Sequence, residues 1–414
     1  MSMLNEKIFV QIASYRDPEL IHTIRDCLTK AKYPDRLKFG ICWQHATVDG
    51  WDNLTEYLYN PAFKIISVNH TESKGACWAR HMAQKMWNDE KYSLQIDSHT
   101  RFVQDWDELL INLWESMDDP MAIFTGYPPN YSPNLPYEEW DHAPKICNVY
   151  AVDNGKASAR PSDVPNWKER TTPYKSIHVS AGFIFGLGEI NTIVPYDPLL
   201  YFLGEETNLT VRYFTHGYNL YHPHKLLMYH YYTRPDNKKH WDDDPEWGKY
   251  SNTASKRLDC LLGKNTMWEL NEYGLGTKRT LQEFIEYSGV DLINSVLHDD
   301  VKSGIEPPCS NSNAGWDPQV DKFDNVITWD YEQVEKCNDP RFWGVFVCDQ
   351  NKKALFRVDI ENWKNPEIIS GEVCEWPVTF EYKRKYQTPT YILIWPYSES
   401  RHWLNNVYLP LLTK

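Results

Sequence analysis

The run Leu94-Gln95-Ile96-Asp97-Ser98-His99-Thr100-Arg101 carries the strongest chemical signal in the chain. An apolar strand ends in Asp-x-His, so a carboxylate and an imidazole two residues apart can reach one cation if the backbone turns there. Oxygen plus nitrogen ligation suits Mn2+ among the borderline ions. A cation held there would neutralise a diphosphate and stabilise its departure. Ordinary turn chemistry also produces isolated Asp-x-His, so the motif needs support from elsewhere. Far along the chain, Tyr229-His230-Tyr231-Tyr232-Thr233-Arg234 follows another strand-like run. His230 could be a third ligand, and Arg234 could reach a phosphate. His230 reads equally well as a buried, hydrogen-bonded histidine among tyrosines.

Three further clusters could surround such a centre. In Lys74-Gly75-Ala76-Cys77-Trp78-Ala79-Arg80-His81, Gly75 opens a helix, so N–H groups and the positive dipole end face outward. Arg80, one turn in, could contact a diphosphate or simply be solvated. Glu205 and Glu206 follow Gly204; they could bind sugar hydroxyls or orient a reacting group, or merely favour a helix start. Ser180-Ala181-Gly182 enters an apolar run, and such small residues would let a sugar approach the backbone, though close strand packing explains them too.

The first third of the chain supplies elements that can position these groups. Ile8–Ala13, Lys38–Trp43, Phe63–Val68, Tyr92–Ile96 and Ala122–Thr125 read as strands. Asp17 and Pro18 look like an N-cap and first helical position, with Leu20, Ile21, Ile24, Leu28 and Ala31 at helical spacing behind them. Ala76–Met86 and Trp106–Trp114 read as helices. This alternation implies an α/β fold with a mostly parallel sheet and helices on both faces. Ligands on such sheets bind at the carboxyl ends of strands, which points to the segments after Ala13, Trp43 and Ile96. Tyr127–Pro173 shows little periodicity and reads as a long excursion over the active face. Ile177–Gly186 returns to a strand pattern. The acidic stretch Trp241–Gly248 reads as a loop, and Ser255–Leu292 as helical. The resulting division is a catalytic domain at 1–300, a linker at 301–317 and a small all-β domain at 318–414.

Composition narrows the function class. A formal charge of -14 argues against a general nucleic-acid binder, which would show a basic stripe. No apolar stretch approaches the length of a membrane span. The nine cysteines are odd in number and include no C-x-x-C pair. They read as reduced thiols in a cytoplasmic protein rather than a disulfide framework or a structural zinc site. The 18 tryptophans and 27 tyrosines suit both core packing and carbohydrate binding, so they do not decide between the two.

Together the segments IFVQIASYRDPEL, AKYPDRLKFGICWQ, KGACWARHMAQ, YSLQIDSHTRF, HVSAGFIFG, GEETNLTVRYFTHGYNLYHP and YHYYTR resemble the cytoplasmic polypeptide N-acetylglucosaminyltransferases that modify hydroxyproline, and their bacterial relatives. The mucin-type N-acetylgalactosaminyltransferases are more distantly similar. The likeness spans roughly residues 7 to 290. It implies a GT-A fold, a UDP-sugar donor, a divalent metal, usually Mn2+, and retention of anomeric configuration. By the same resemblance Asp97, His99 and His230 hold the metal. Ala13, Ser14, Tyr15 and Arg16 contact the nucleoside, Arg80 falls on the helix-start arginine, and Glu205 and Glu206 fall on the acidic pair near the sugar, with Glu205 favoured. Residues after about 310 and the segment Tyr127–Pro173 have no close counterpart in that pattern.

The resulting expectation is a retaining transferase moving a sugar, GlcNAc by resemblance, from a UDP-sugar to a hydroxyl of a protein (hydroxyproline, Ser or Thr) or a glycan. Ser180, Gly182 and Arg234 would complete the donor site. Two rivals remain open at this level: a metal-dependent hydrolase using the same cluster on water, and a carbohydrate- or protein-binding module on a transferase fold.

Overall fold

The computed structural model describes residues 6–234, 237–310, 315–316, 320–336, 339–361, 373–383 and 387–413. The chain divides into two compact units, Met1–Trp316 and Asp317–Lys414. In the first, β1 (Ile8–Tyr15), α1 (Leu20–Lys30), β2 (Leu37–His45), β3 (Phe63–Asn69), α2 (Ala76–Gln84), β4 (Tyr92–Asp97), β5 (Thr100–Phe102), α3 (Trp106–Glu115) and β6 (Ala122–Thr125) follow in order. A hairpin of β7 (Lys145–Asp153) and β8 (Lys156–Asp163) comes next, then β9 (Tyr174–Lys175), β10 (Phe183–Leu187), α4 (Ile190–Ile193), α5 (Glu205–Thr215), β11 (Asn219–His222) and β12 (Met228–His230). The unit closes with α6 (His240–Asp243), α7 (Trp247–Leu261), α8 (Leu281–Ser288), the pair β13 (Val290–Asp291) and β14 (Val296–Leu297), and α9 (Asp299–Lys302).

Eight strands form the central sheet in the order β3-β2-β1-β4-β10-β6-β11-β9. β3, β2, β1 and β4 are parallel neighbours, β10 runs against both β4 and β6, and β11 is again parallel to β6. Six strands thus point one way, with β10 and the short β9 reversed. β1, β2 and β4 are buried along almost their whole length, as strands covered on both faces are, while the edge strand β3 is partly exposed; Ile8, Val10, Ile12, Leu37, Ile41, Tyr92 and Leu94 are fully buried. Register puts Ala13 of β1 beside Asp97 of β4, so the carboxyl ends of these strands finish level. The reversed β10 begins at that same edge, next to Asp97.

Several expectations need correction. The segment 127–173 is not all irregular: it contains the β7–β8 hairpin, closed by Asn154-Gly155 with both residues at positive φ, 48° and 75°. That pair twists the chain as a two-residue hairpin turn requires. The strand expected over 177–186 forms only at Phe183–Leu187. The acidic stretch Trp241–Gly248 is helical at its two ends, in α6 and the start of α7, with a short turn over 244–246 between them, and the helix expected over 255–292 is broken between Leu261 and Leu281. Asp17 does not cap α1, which starts at Leu20 behind Glu19 with no side-chain cap. Its carboxylate turns inward to stronger, charged partners instead.

The second unit is antiparallel. Strands β15 (Val320–Asp330), β18 (Val373–Lys383) and β22 (Leu412–Thr413) form one sheet. The other comprises β16 (Pro340–Asp349), β17 (Ala354–Glu361), β19 (Pro389–Ser398), β20 (His402–Trp403) and β21 (Val407–Pro410). Ile327, Val345, Val347, Ile392 and Ile394 are fully buried in its core. No helix among the described residues is long and apolar enough to cross a membrane.

Candidate active site

Asp97 ends β4, and the chain turns so that His99 returns to the same space. β12 pairs antiparallel with β5, with His230 opposite Thr100, and this small ladder carries the second imidazole to the acid. His230 Nε2 lies 3.1 Å from Asp97 Oδ2, and His99 Nε2 lies 3.9 Å from the same oxygen. Donor atoms of all three residues fall within 4.8 Å of one another. The two imidazole rings meet edge to face, 4.5 Å between centroids.

The surroundings fix this cluster's charge state. Burial pushes the Asp97 carboxyl up, but the Arg80 guanidinium and the two histidines outweigh it and hold the acid well below the usual carboxylate range. Burial, then the neighbouring His99, lowers His230 to about 4, so its lone pair is available at neutral pH. His99 Nδ1 is 2.7 Å from Asp17 Oδ2, which leaves Nε2 facing Asp97. The same Asp17 oxygen accepts from Ser98 Oγ at 2.6 Å and from Arg234 at 2.8 Å. These partners outweigh burial and keep Asp17 ionised. A carboxylate behind a ligating histidine fixes its tautomer and ring orientation and raises its basicity. One carboxylate and two imidazoles, with Gly182 leaving space beside them, fit a divalent cation of the Mn2+ class. A Cβ on Gly182 would sit 3.1 Å from Asp97 Oδ2.

The cluster stands where two lobes of a cleft meet. One lobe, about 340 Å3, runs past Ala13, Tyr15, Gln44, Gly75, His99 and Trp241. The other, about 370 Å3, runs past Tyr127, Asp153, Lys156, Ser180, Gly182 and Glu206. Arg80, Asp97, Phe202, His230 and Tyr232 line both. Gly75 starts α2 at φ 99°, and a Cβ there would overlap the Tyr201 ring, so only glycine lets this helix start sit against the cleft wall.

A family model described as glycosyltransferase (GlcNAc) matches residues 7–58 and 51–294. The chain belongs to this glycosyltransferase family. Among solved structures, the chain is similar to GalNAc-T7 with UDP, GalNAc and Mn2+, at 13% identity, covering 98% of this chain and 69% of that one with a TM-score of 0.51. Also similar are S. aureus TarS 1–349 in complex with UDP-GlcNAc (12% identity, 64% and 69% covered, TM-score 0.40) and the mannosyltransferase PcManGT from Pyrobaculum calidifontis in complex with GDP-Man and Mn2+ (11%, 65% and 77%, 0.37). The GalNAc-T7 likeness shows the GT-A fold. No curated protein sequence matches the chain.

Within this glycosyltransferase, the residues singled out by sequence take distinct positions. Asp97, His99 and His230 come together. Ala13 and Tyr15 line the first lobe, whereas Ser14 is fully buried and absent from the lining. The Arg16 guanidinium is engaged by Asp49 through two bonds, 2.6 and 2.9 Å, and by Asp243 at 2.8 Å. It clamps the β1 loop to α6 through Asp243 and to the segment after β2 through Asp49. Arg80 is likewise engaged, bonded to Asp97 at 2.6 Å and to Glu205. A buried arginine between two acids holds their geometry. Arg234 keeps Nε without a partner while facing the first lobe. Ser180 exchanges hydrogen bonds with Thr125 through its backbone and lines the second lobe.

The acidic pair separates by exposure. The Glu205 side chain is 4% exposed, and burial raises its carboxyl against the pull of Arg80. Glu206 is 33% exposed, with Oε1 accepting from Ala181 N–H at 3.0 Å and Oε2 3.4 Å from the Tyr127 hydroxyl. Glu206 is therefore the more exposed of the two acids at the second lobe. Arg212, seven residues after Glu205 on α5, is fully buried and donates to the Pro195, Glu272 and Gly274 carbonyls. Sequence reasoning missed Asp17, Asp49, Asp243, Tyr127 and Tyr232. Only Asp17 carried a signal, an acid just past the first strand, and it resembles a helix cap.

Proposed function

We propose that the chain transfers GlcNAc from a UDP-sugar to a hydroxyl acceptor on a polypeptide (hydroxyproline, Ser or Thr) or a glycan, with retention of configuration. The single observation behind this reading is the Asp97–His99–His230 cluster at the junction of two lobes, one reaching the β1 loop and the α2 start, the other reaching Glu206. A divalent cation, Mn2+, bound by those three side chains would supply the Lewis acid that neutralises the diphosphate. Ala13 and Tyr15 border the space for the nucleoside, and Arg234, at the wall of the same lobe, supplies positive charge to the phosphates. Glu206 orients a sugar hydroxyl, and the Ser180-Ala181-Gly182 strip lets the ring lie against the backbone.

Retention rests on the family resemblance, and a retaining enzyme in which neither Asp97 nor Glu205 is free to act as a nucleophile would use front-face attack. Asp97 is held by Arg80 and His230, and Glu205 by Arg80. The acceptor hydroxyl then attacks from the face the diphosphate leaves, with the acids positioning rather than bonding. No disulfide joins the eight described cysteines, as in the reduced, cytoplasmic setting we propose. The test is UDP release across a panel of UDP-sugars and acceptors, with mass spectrometry of glycosylated lysate proteins. Asp97→Ala should abolish transfer while leaving the circular dichroism unchanged. Full turnover by that variant, or by wild type in EDTA, would refute the metal assignment.

A further inference from the structure

We propose that His298, Asp300 and Cys309 form a second metal site, of the zinc class, near the end of the first unit. The inference does not depend on the donor, acceptor or mechanism proposed above. Apart from the Asp97 cluster, this is the group of metal-capable side chains found among the described residues, with donor atoms within 4.8 Å of one another. His298 Nδ1 is 3.4 Å from Asp300 Oδ2, and Cys309 Sγ is 3.6 Å from the same oxygen. Tetrahedral zinc with ordinary sulfur, nitrogen and oxygen bond lengths sets its ligands about 3.3–3.6 Å apart. Both separations already match the edges of that tetrahedron.

The backbone holds these donors in place. His298 N–H donates to Gly289 O at 2.8 Å, and Cys309 N–H to Tyr287 O at 2.8 Å, which pins both residues to the end of α8. Gly289 closes that helix at φ 70°, where an added Cβ would lie 3.0 Å from His298 Cβ and 3.1 Å from Cys309 Sγ. Glycine thus lets Val301, the base of the His298 side chain and the Cys309 sulfur all pack against the helix end. His298 and Cys309 are buried, and Asp300 is partly exposed. In the metal-free arrangement Asp300 N–H donates to His298 Nδ1 at 3.1 Å, Ser310 N–H to Asp300 Oδ2 at 2.8 Å, and the thiol to that carboxylate. Zinc would take the His298 Nδ1 lone pair from the Asp300 N–H, which is released to water, and would displace the thiol proton to solvent; thiolate plus carboxylate would balance its two charges. A sulfur ligand separates this site from the oxygen- and nitrogen-only cluster at Asp97, so the two select different ions. The absence of C-x-x-C gave no hint of it, because a lone cysteine meets its partners only through the fold.

Cobalt tests this directly. Full-length chain, stripped with chelator and kept reduced, is titrated with Co2+ and followed for the thiolate-to-cobalt charge-transfer band, which Asp97, His99 and His230 cannot produce. The expected result is a band that saturates at one equivalent, persists in Asp97→Ala, disappears in folded Cys309→Ser and bleaches on adding Zn2+. Absence of the band in wild type, or its survival in Cys309→Ser, overturns the proposal. Asp300→Asn, which keeps the shape, should weaken Co2+ affinity at least tenfold; an unchanged affinity removes Asp300 from the site.

Discussion

His222 ties the end of β11 to two other parts of the catalytic unit, and that tie should make stability depend on pH. Its Nδ1–H donates to Thr125 O at 2.7 Å, and its Nε2 accepts from Cys147 N–H at 3.2 Å. Only a neutral ring can do both. Burial lowers its pKa from the ordinary 6.5 to about 4. In the unfolded chain the ring takes its proton near 6.5, in the native chain only near 4. Between those values the unfolded state binds more protons, so stability rises with pH across the window. The contribution is fully present above about pH 6.5 and is lost progressively down to about pH 4. At about 1.4 kcal/mol per pH unit, this amounts to about 3 kcal/mol. Protonation also removes the acceptor for Cys147, which loosens β7 and with it the hairpin bearing Asp153 and Lys156. The perturbation is His222→Gln, which retains a donor and an acceptor without a charge change. Urea denaturation of both proteins from pH 7 to 4, with hydrogen exchange over residues 145–153, gives the comparison. Wild type should lose about 3 kcal/mol more than the variant across that range. Equal losses would show that His222 does not titrate as argued.

Two other outcomes follow from the geometry of the cluster. Asp17→Asn removes the carboxylate behind His99, so Mn2+ affinity should fall about 10- to 100-fold with the three ligands still present, measured by calorimetry; an unchanged affinity would show that Asp17 does not orient the ring. Gly182→Ala places a methyl 3.1 Å from Asp97 Oδ2, so metal-dependent turnover should drop several-fold while the melting temperature stays close to wild type, and undiminished turnover would mean that the space beside Asp97 is not used.

Sequence by itself determined the elements whose pattern is local. The apolar runs at β1, β2, β3, β4 and β6 and the helical spacing in α1, α2 and α3 are properties of short windows, and each element formed within a few residues of where its pattern lay. Asp97 and His99 were legible because two residues of separation leave only one turn to imagine. The β7–β8 hairpin was also written locally, as Asn154-Gly155 between two stretches of strand, but the surrounding Pro, Tyr and Trp masked it. Tertiary structure decided whatever depends on pairing across the chain. The β5–β12 ladder carried His230 to an acid 133 residues away. The fold brought Asp97 at the end of β4 and Glu205 at the start of α5 to either side of Arg80, and left Glu206 as the exposed acid. Asp17 and Arg16 could not be read from their neighbours, because a charged side chain chooses its partners by desolvation and opposite charge. Those partners, His99 and Arg234 for one and Asp49 and Asp243 for the other, become neighbours only when the sheet closes.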